Sequence, residues 1–131
     1  PDADLDQVVN DLAGAAFGSA GERCMAISVA VPVGEETANR LMDKLVPRVE
    51  ALKIGPSTDP DADYGPVVTS EALARIKNYV EIGIDEGADL AVDGRDFKMQ
   101  GYEDGFYMGG CLFDNVTKDM RIYKEEFLAQ F

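Results

Sequence analysis

Residues 17–31 read Phe-Gly-Ser-Ala-Gly-Glu-Arg-Cys-Met-Ala-Ile-Ser-Val-Ala-Val, and the middle of this stretch separates a helix from a strand. The run Gly18-Ser19-Ala20-Gly21 breaks a helix, because glycine is a poor helix former and small polar residues favour turns. Residues 26–31 are apolar and partly β-branched, a pattern typical of a buried strand. Cys24 is therefore expected on a loop between a helix and a buried strand.

Helical periodicity flanks this stretch on both sides. Asp4 can cap a first helix, which is predicted to run to about Phe17. The strand ends before Pro32, and residues 35–52 predict a second helix that is disturbed at Pro47. The apolar positions that support the two helices are Leu5, Val8, Val9, Leu12, Ala13, Ala16, Phe17, Ala38, Leu41, Met42, Leu45, Val49 and Leu52.

The remaining chain continues the alternation of helices and strands. Its predicted elements are a surface loop at 55–66, a third helix capped by Thr69 or Ser70 and ending at Gly87, and strands at 88–92 and 106–113. Helices of this length between strands imply βαβ crossovers. We therefore predict an α/β fold with a mainly parallel sheet and flanking helices, in one domain.

The charge balance excludes two classes of partner. Twelve basic residues against twenty-five acidic ones give a net charge of −13, which repels nucleic acid and offers no attraction to anionic lipid. No apolar run approaches the roughly 20 residues that span a bilayer. The chain also opens with Pro1-Asp2-Ala3-Asp4 rather than a basic, apolar leader. We expect a soluble, cytoplasmic protein with no nucleic-acid or membrane partner.

Metal and disulfide chemistry find little support in the sequence. There are two cysteines and no histidine, which excludes a disulfide framework, an imidazole-bound metal and a Cys-His catalytic pair within this chain. Three aspartates, Asp59, Asp61 and Asp63, alternate as EF-hand ligands do. Tyr64 and Ser70 stand where that loop needs glycine and glutamate, so no metal site is predicted.

The segment around Cys24 has the features that a nucleophilic thiol needs. Glycines allow a substrate to approach the backbone closely, and backbone N–H groups can stabilise a thiolate and later an oxyanion. Arg23 adds a permanent positive charge beside the sulfur. The alternative interpretation is that Cys24 is a small buried hydrophobe, as free cysteines often are. The second thiol, Cys111, follows two glycines at a predicted core strand and is expected to be structural.

Residues 17–26 resemble the active-site region of the aldehyde dehydrogenase superfamily, in which a small-residue loop leads to the cysteine nucleophile. The sequence Gly21-Glu22-Arg23-Cys24-Met25-Ala26 is most similar to that of the CoA-acylating branch, which oxidises malonate and methylmalonate semialdehyde. Further matches follow in family order, at 52–56, 61–68, 87–94 and 101–107. The resemblance therefore covers nearly the whole chain.

This resemblance implies a mechanism and a role for each matching residue. Cys24 would attack the aldehyde, the thiohemiacetal would give a hydride to NAD, and coenzyme A would resolve the thioester. Arg23 would hold the carboxylate of the semialdehyde, a task that suits a bidentate guanidinium. The alternative for Arg23 is a surface pair with Glu22 or another carboxylate. A non-acylating enzyme, which resolves the thioester with water, remains a further alternative.

A third family position falls near the end of the chain. Glu126 matches the glutamate of a Glu-Ile-Phe-Gly-Pro motif that contacts the nicotinamide ribose. The rest of that motif is replaced by Phe127-Leu128-Ala129-Gln130. The alternative is that residues 124–126 form a charged, solvated turn.

The resemblance also predicts what the chain contains. Residues 1–131 would be a partial catalytic domain without the NAD-binding domain, both ends would be cut, and no cofactor would bind to the fragment. The full-length enzyme would be a homo-oligomer, and the fragment alone would be inactive. The rival hypothesis is a small acidic α/β binding module with a structural cysteine.

Overall fold

The computed structural model describes residues 2–126 of the chain. Within them it contains four α-helices, one 3₁₀ turn and two short strands. In chain order these are α1 (Leu5–Phe17), the 3₁₀ turn (Gly18–Gly21), α2 (Glu35–Glu50), α3 (Ser70–Asp85), β1 (Asp89–Val92), β2 (Leu112–Asp114) and α4 (Arg121–Lys124).

The helix ends follow the predicted capping residues. The Asp4 carboxylate accepts the backbone N–H of Asp6 at 3.0 Å, which satisfies one of the first unpaired donors of α1. The Thr69 hydroxyl does the same for Ala72 at 3.0 Å, so Thr69, not Ser70, caps α3. Beyond α3, Gly87 takes φ +92°, the left-handed conformation that commonly ends a helix. The predicted first and third helices are confirmed.

The second helix passes through Pro47 without ending there. It runs to Glu50, two residues short of the predicted end at Leu52. Proline has no N–H, so the carbonyl of Asp43 loses its helical partner at this point. Because Asp43 and Pro47 are both exposed, water can take the place of the missing donor.

Two apolar clusters form the core. The first joins α1 to α2 and consists of Leu5, Val9, Leu41, Leu45 and Val49. The second packs α3 against residues before it and against the segment between β1 and β2, and consists of Val67, Ile76, Val80 and Met108. Each cluster comes from the face that the helical periodicity predicts.

The prediction of a buried strand at residues 26–31 is wrong. These residues form no strand, and within residues 2–126 no strand pairs with them. Ile27, Val29 and Val31 are 41%, 49% and 82% exposed. A strand is buried only when neighbouring strands and a covering layer are present, and the described residues supply neither. The apolar pattern therefore predicted a strand that the described residues do not form.

The sheet that does form is antiparallel. β1 pairs with β2 in the register Asp89↔Asp114 and Leu90↔Phe113, with an irregularity after Leu90. The parallel pairing is an isolated bridge between Ile54 and Tyr64. The chain is thus a mixed α/β fold, as predicted, but the parallel sheet is not found among the described residues. A parallel sheet needs several crossover units, and this segment has one short strand pair.

The predicted strand at 106–113 is paired only from Leu112 onward. Its earlier residues are held by tertiary contacts instead: the Phe106 carbonyl accepts the N–H of Val67 at 3.0 Å, and Met108 is buried in the second cluster. Apolar residues therefore mark burial here rather than strand pairing, a distinction that periodicity alone does not make.

Two glycines allow two chain segments to cross in contact. The N–H of Gly109 donates to the carbonyl of Gly94 at 2.9 Å, and the N–H of Gly94 donates to Cys111 Sγ at 3.4 Å. A Cβ placed on Gly94 would lie 2.1 Å from the carbonyl carbon of Gly109. Any side chain at position 94 would therefore force the two backbones apart.

We predict that Gly94→Ala lowers the free energy of unfolding by about 3 kcal/mol, because overpacking against backbone cannot be relieved by a side-chain rotation. The control is Gly14→Ala. A Cβ on Gly14 meets nothing within 4 Å, and alanine favours the interior of α1 by about 1 kcal/mol. Urea unfolding followed by circular dichroism should show opposite signs for the two variants. Equal midpoints would contradict this account of the crossing.

We also predict that the isolated chain self-associates through residues 26–31, since an unpaired apolar strand is a template for another. Val29→Lys should shift the mass measured by light scattering toward the monomer. Val68→Lys makes the same charge change at an apolar residue that is 70% exposed elsewhere, and it should leave the mass unchanged. A monomeric wild-type chain would refute the prediction.

Candidate functional site

The loop that carries Cys24 begins with a strained turn. Ser19 and Ala20 have φ values of 57° and 55°, and Gly21 follows at 76°. Only glycine adopts this left-handed conformation easily, and it costs a residue with a Cβ roughly 1–2 kcal/mol. The N–H of Glu22 closes the turn by donating to the Ser19 carbonyl at 3.0 Å. Strain of this kind persists only where surrounding contacts impose it, and it often accompanies functional sites.

Cys24 lies at the corner of a second turn. The N–H of Ala26 donates to the carbonyl of Arg23 at 3.1 Å, so Cys24 and Met25 are the two central residues. One residue further on, the N–H of Ile27 donates to the carbonyl of Ala15 at 3.2 Å. That carbonyl is among the last of α1 and has no partner within the helix. The loop therefore starts and ends at the same end of α1, and its corner faces solvent.

The exposure of the two thiols differs. Cys24 is exposed, so the alternative that it is a small buried hydrophobe does not fit this structure. Cys111 is half-buried, and burial raises the pKa of its thiol. The hydrogen bond from the Gly94 N–H opposes that rise. A half-buried thiol with a raised pKa carries little thiolate at neutral pH, which suits the structural role expected of Cys111.

The backbone beside Cys24 offers an unused donor. Among residues 2–126, no acceptor takes the N–H of Cys24. A backbone N–H next to a nucleophile can donate to the oxygen of a carbonyl under attack. The turn thus presents a thiol and a hydrogen-bond donor from the same residue.

The guanidinium of Arg23 lies against Gly18. A Cβ placed on Gly18 would be 2.7 Å from Arg23 Cζ. No carboxylate of residues 2–126 pairs with Arg23, so the expected alternative of a surface pair with Glu22 is not seen. By contrast, Arg121 binds Glu125 at 3.0 Å. The contact with Gly18 was not predicted from the sequence, in which its only signal is a glycine where α1 was already predicted to end.

Glu126 and its neighbour Glu125 differ in their contacts. Glu125 accepts from Arg121 at 3.0 Å and from the Tyr79 hydroxyl at 2.5 Å, and these bonds lower its pKa. Glu126 is exposed and makes no such bond to the described residues. The structure therefore places Arg23 and Cys24 together but records no contact between them and Glu126. The motif positions 127–130 lie outside the described residues.

The described residues contain no preformed metal or membrane element. Within residues 2–126, no three acidic or cysteine side chains are grouped as a metal site requires. Asp59 and Asp63 accept the N–H groups of Asp61 and Lys53, at 2.9 and 2.8 Å, so they order their own loop. None of the helices in this part of the chain is long and apolar enough to cross a membrane.

Two clefts on the described surface lie away from Cys24, which is itself exposed. One is a narrow space between α1, α2 and Tyr64, with Arg48 and Asp63 at its edge. The other lies beside α3 and is lined by Lys77, Lys98 and the aromatic side chains of residues 97, 102 and 107. A substrate at Cys24 would therefore meet a surface corner rather than an enclosed pocket within this part of the chain.

Comparison with known proteins gives a consistent result. The model of the aldehyde dehydrogenase family matches residues 1–129. A malonate-semialdehyde dehydrogenase from Pseudomonas aeruginosa is 56% identical over 129 residues, which are 98% of this chain and 26% of that protein. An acylating, mitochondrial methylmalonate-semialdehyde dehydrogenase from Arabidopsis thaliana is 48% identical, over 98% of this chain and 21% of that protein.

A solved structure shares the fold in detail. A Sinorhizobium meliloti protein, assigned as a methylmalonate-semialdehyde dehydrogenase and solved in complex with NAD, superposes with a TM-score of 0.95 at 71% identity. The match covers 97% of this chain and 26% of that one, so the chain spans about a quarter of the length of the relatives it matches. With the family model matching almost every residue, the chain belongs to the aldehyde dehydrogenase family.

Proposed function

We propose that the chain is the cysteine-bearing part of the catalytic domain of a NAD-dependent, CoA-acylating dehydrogenase for malonate or methylmalonate semialdehyde. The observation that carries the proposal is the exposed Cys24 at the corner of a fixed turn, beside an arginine that no described carboxylate engages. The names of the similar proteins support the substrate class. Apart from Glu126, the NAD-binding residues would lie in the rest of the longer polypeptide.

The chain's own residues account for the first chemical step. The sulfur of Cys24 attacks the aldehyde carbon, and the carbonyl oxygen becomes an oxyanion as the new C–S bond forms. The N–H of Cys24, unused by the described residues, donates to that oxyanion. Loss of hydride then leaves a thioester on Cys24. Bound NAD would supply the acceptor for this hydride, and coenzyme A would supply the thiol that releases the acyl group.

Arg23 would bind the carboxylate at the far end of the semialdehyde. Its planar fork of N–H donors matches a carboxylate with two parallel hydrogen bonds. Because its side chain is exposed and makes no ion pair within residues 2–126, no internal bond has to break first. Arg23 would thus select acidic aldehydes and orient the carbonyl toward Cys24.

Among the described residues, Glu126 is the one that we propose to contact NAD. A carboxylate can accept hydrogen bonds from the two hydroxyls of a ribose, and Glu126 is exposed and uncommitted. We propose that it contacts the nicotinamide ribose. No Gly-rich phosphate loop follows a strand among the described residues, so the remainder of the cofactor would be held elsewhere.

The isolated chain would be inactive and the full-length enzyme a homo-oligomer. Orientation of bound reactants contributes about 7–11 kcal/mol to reactions of this kind, and an open corner on the surface supplies little of it. The quarter-length coverage of the relatives supports the inactivity of the isolated chain. The homo-oligomer is proposed from the family resemblance alone.

The test uses the full-length protein that contains this segment. NADH formation with malonate or methylmalonate semialdehyde should require coenzyme A, and Cys24→Ala should lower the rate by roughly 10⁴-fold or more, since no other group can form the thioester. Cys111→Ala is the matched control and should retain turnover. The measurement is NADH absorbance with and without coenzyme A.

Each other outcome would move the protein to a rival function. Turnover without coenzyme A would assign it to the enzymes that resolve the thioester with water. Absence of turnover with any aldehyde, or normal turnover of Cys24→Ala, would leave Cys24 structural and favour an acidic binding module.

The two thiols of the isolated chain should also react at different rates. We expect iodoacetamide at neutral pH to label Cys24 at least about tenfold faster than Cys111, because Cys111 is half-buried and burial raises the pKa of its thiol. The ratio of the two labelling rates should fall as the pH is raised toward and above the pKa of Cys111, because thiolate then forms at Cys111 too. Peptide mass spectrometry measures both sites; equal labelling at neutral pH would contradict the described burial.

A further inference from the structure

We propose that Gly18 is a positioning residue for Arg23, because the absence of a side chain at position 18 lets the guanidinium lie directly against the backbone. We call this surface of Gly18 the seat. The seat would hold the guanidinium ready for the carboxylate of the substrate and so contribute to the preference for acidic aldehydes. This inference rests on the role proposed above for Arg23.

The whole guanidinium of Arg23, and not a single atom of it, lies against Gly18. A Cβ on Gly18 would lie 2.7 Å from Cζ and Nη1 of Arg23 and 2.8 Å from Nη2. Three nearly equal distances mean that the flat face of the guanidinium lies over the position that a Cβ of residue 18 would occupy. Carbon atoms do not approach this closely, so any side chain at position 18 would displace the guanidinium.

The backbone itself does not require glycine at this position. Gly18 has φ −54° and ψ 134°, a conformation that any residue adopts, whereas Gly21 has φ 76°. The contact with Arg23 is therefore the reason for a glycine. The group that would have to move is the far end of a flexible side chain, so a substitution should change the position of the guanidinium more than the stability of the fold.

The seat also has a favourable electrostatic position. Gly18 is the residue that ends α1, and its N–H donates to the carbonyl of Gly14. The carbonyl end of a helix carries partial negative charge, which attracts a cation. A guanidinium held there loses part of its side-chain freedom before substrate arrives, so less entropy is lost on binding. Its N–H donors remain available, since no described carboxylate takes them.

The experiment compares two aldehydes in the full-length enzyme. Malonate semialdehyde carries a carboxylate at the end opposite the aldehyde, and propanal carries a methyl group in its place. Gly18→Ala should raise KM for malonate semialdehyde about tenfold with kcat changed less than about twofold. The reason is that a displaced Arg23 guanidinium weakens substrate binding, whereas the nucleophile Cys24 is unchanged. KM for propanal should stay within about twofold. Gly14→Ala, on the same helix and with space for its Cβ, is the control and should match the wild type.

A double-mutant cycle separates this effect from a general disturbance of the loop. In an Arg23→Ala background, Gly18→Ala should have no further effect on KM for malonate semialdehyde, since the group it displaces is gone. If Gly18→Ala alone fails to fold, the double variant should regain propanal turnover. Additive effects in the cycle, or an equal KM increase for both aldehydes, would overturn the proposal.

The outcomes also distinguish this inference from the proposed function. A wild-type enzyme that prefers malonate semialdehyde to propanal, combined with an unchanged KM in Gly18→Ala, would overturn only the role of Gly18. A wild-type enzyme that oxidises neither aldehyde, or shows no preference between them, would overturn the proposed function and this inference together.

Discussion

The packing of α1 against α2 is the constraint on which the Cys24 loop depends. Leu5 and Val9 of α1 are buried against Leu41, Leu45 and Val49 of α2, which fixes where α1 ends. The loop then leaves from that end and returns to it through the bond from Ile27 to Ala15. The strain at Ser19 and Ala20 costs together about 2–4 kcal/mol. Burial of a single apolar side chain gives about 1.5–3 kcal/mol, so two or three core residues offset it.

The electrostatics of the chain show why an uncommitted arginine is informative. With twenty-five acidic residues present, an arginine on this surface has many carboxylates within reach. Arg95 engages both Asp93 and Glu81, and Arg121 engages Glu125 and also stacks on Tyr79 at 5.6 Å. Exposed pairs of this kind contribute about 0–1 kcal/mol each, so they organise the surface more than they stabilise it. Arg23 instead rests on a glycine, which leaves its donors for a ligand.

Local features could be predicted from the sequence, and features that need a distant partner could not. The first and third helices follow from caps and periodicity within a few residues, and the family from the order of motifs along the chain. Residues 26–31 have the apolar pattern of a buried strand, but pairing and burial need neighbouring strands that the described residues lack. The antiparallel register of β1 and β2 and the contacts of Phe106 depend on residues far apart in sequence. The left-handed Ser19 and Ala20 were not foreseen, because their conformation is imposed by packing rather than by residue type.

The site therefore divides into a part that is organised locally and a part that is not. The hydrogen bonds and the glycine contact that order Cys24, its N–H and Arg23 lie within residues 14–27, while Phe17 and Ala20 pack against the two core clusters. The residues that follow are held to the described fold by the bond from the Ile27 N–H to the Ala15 carbonyl. A strand paired alongside 26–31 would anchor the second side of the loop and cover the exposed Val29 and Val31. Since the first side is already fixed by the core, such pairing would tighten the orientation of Cys24 rather than create it.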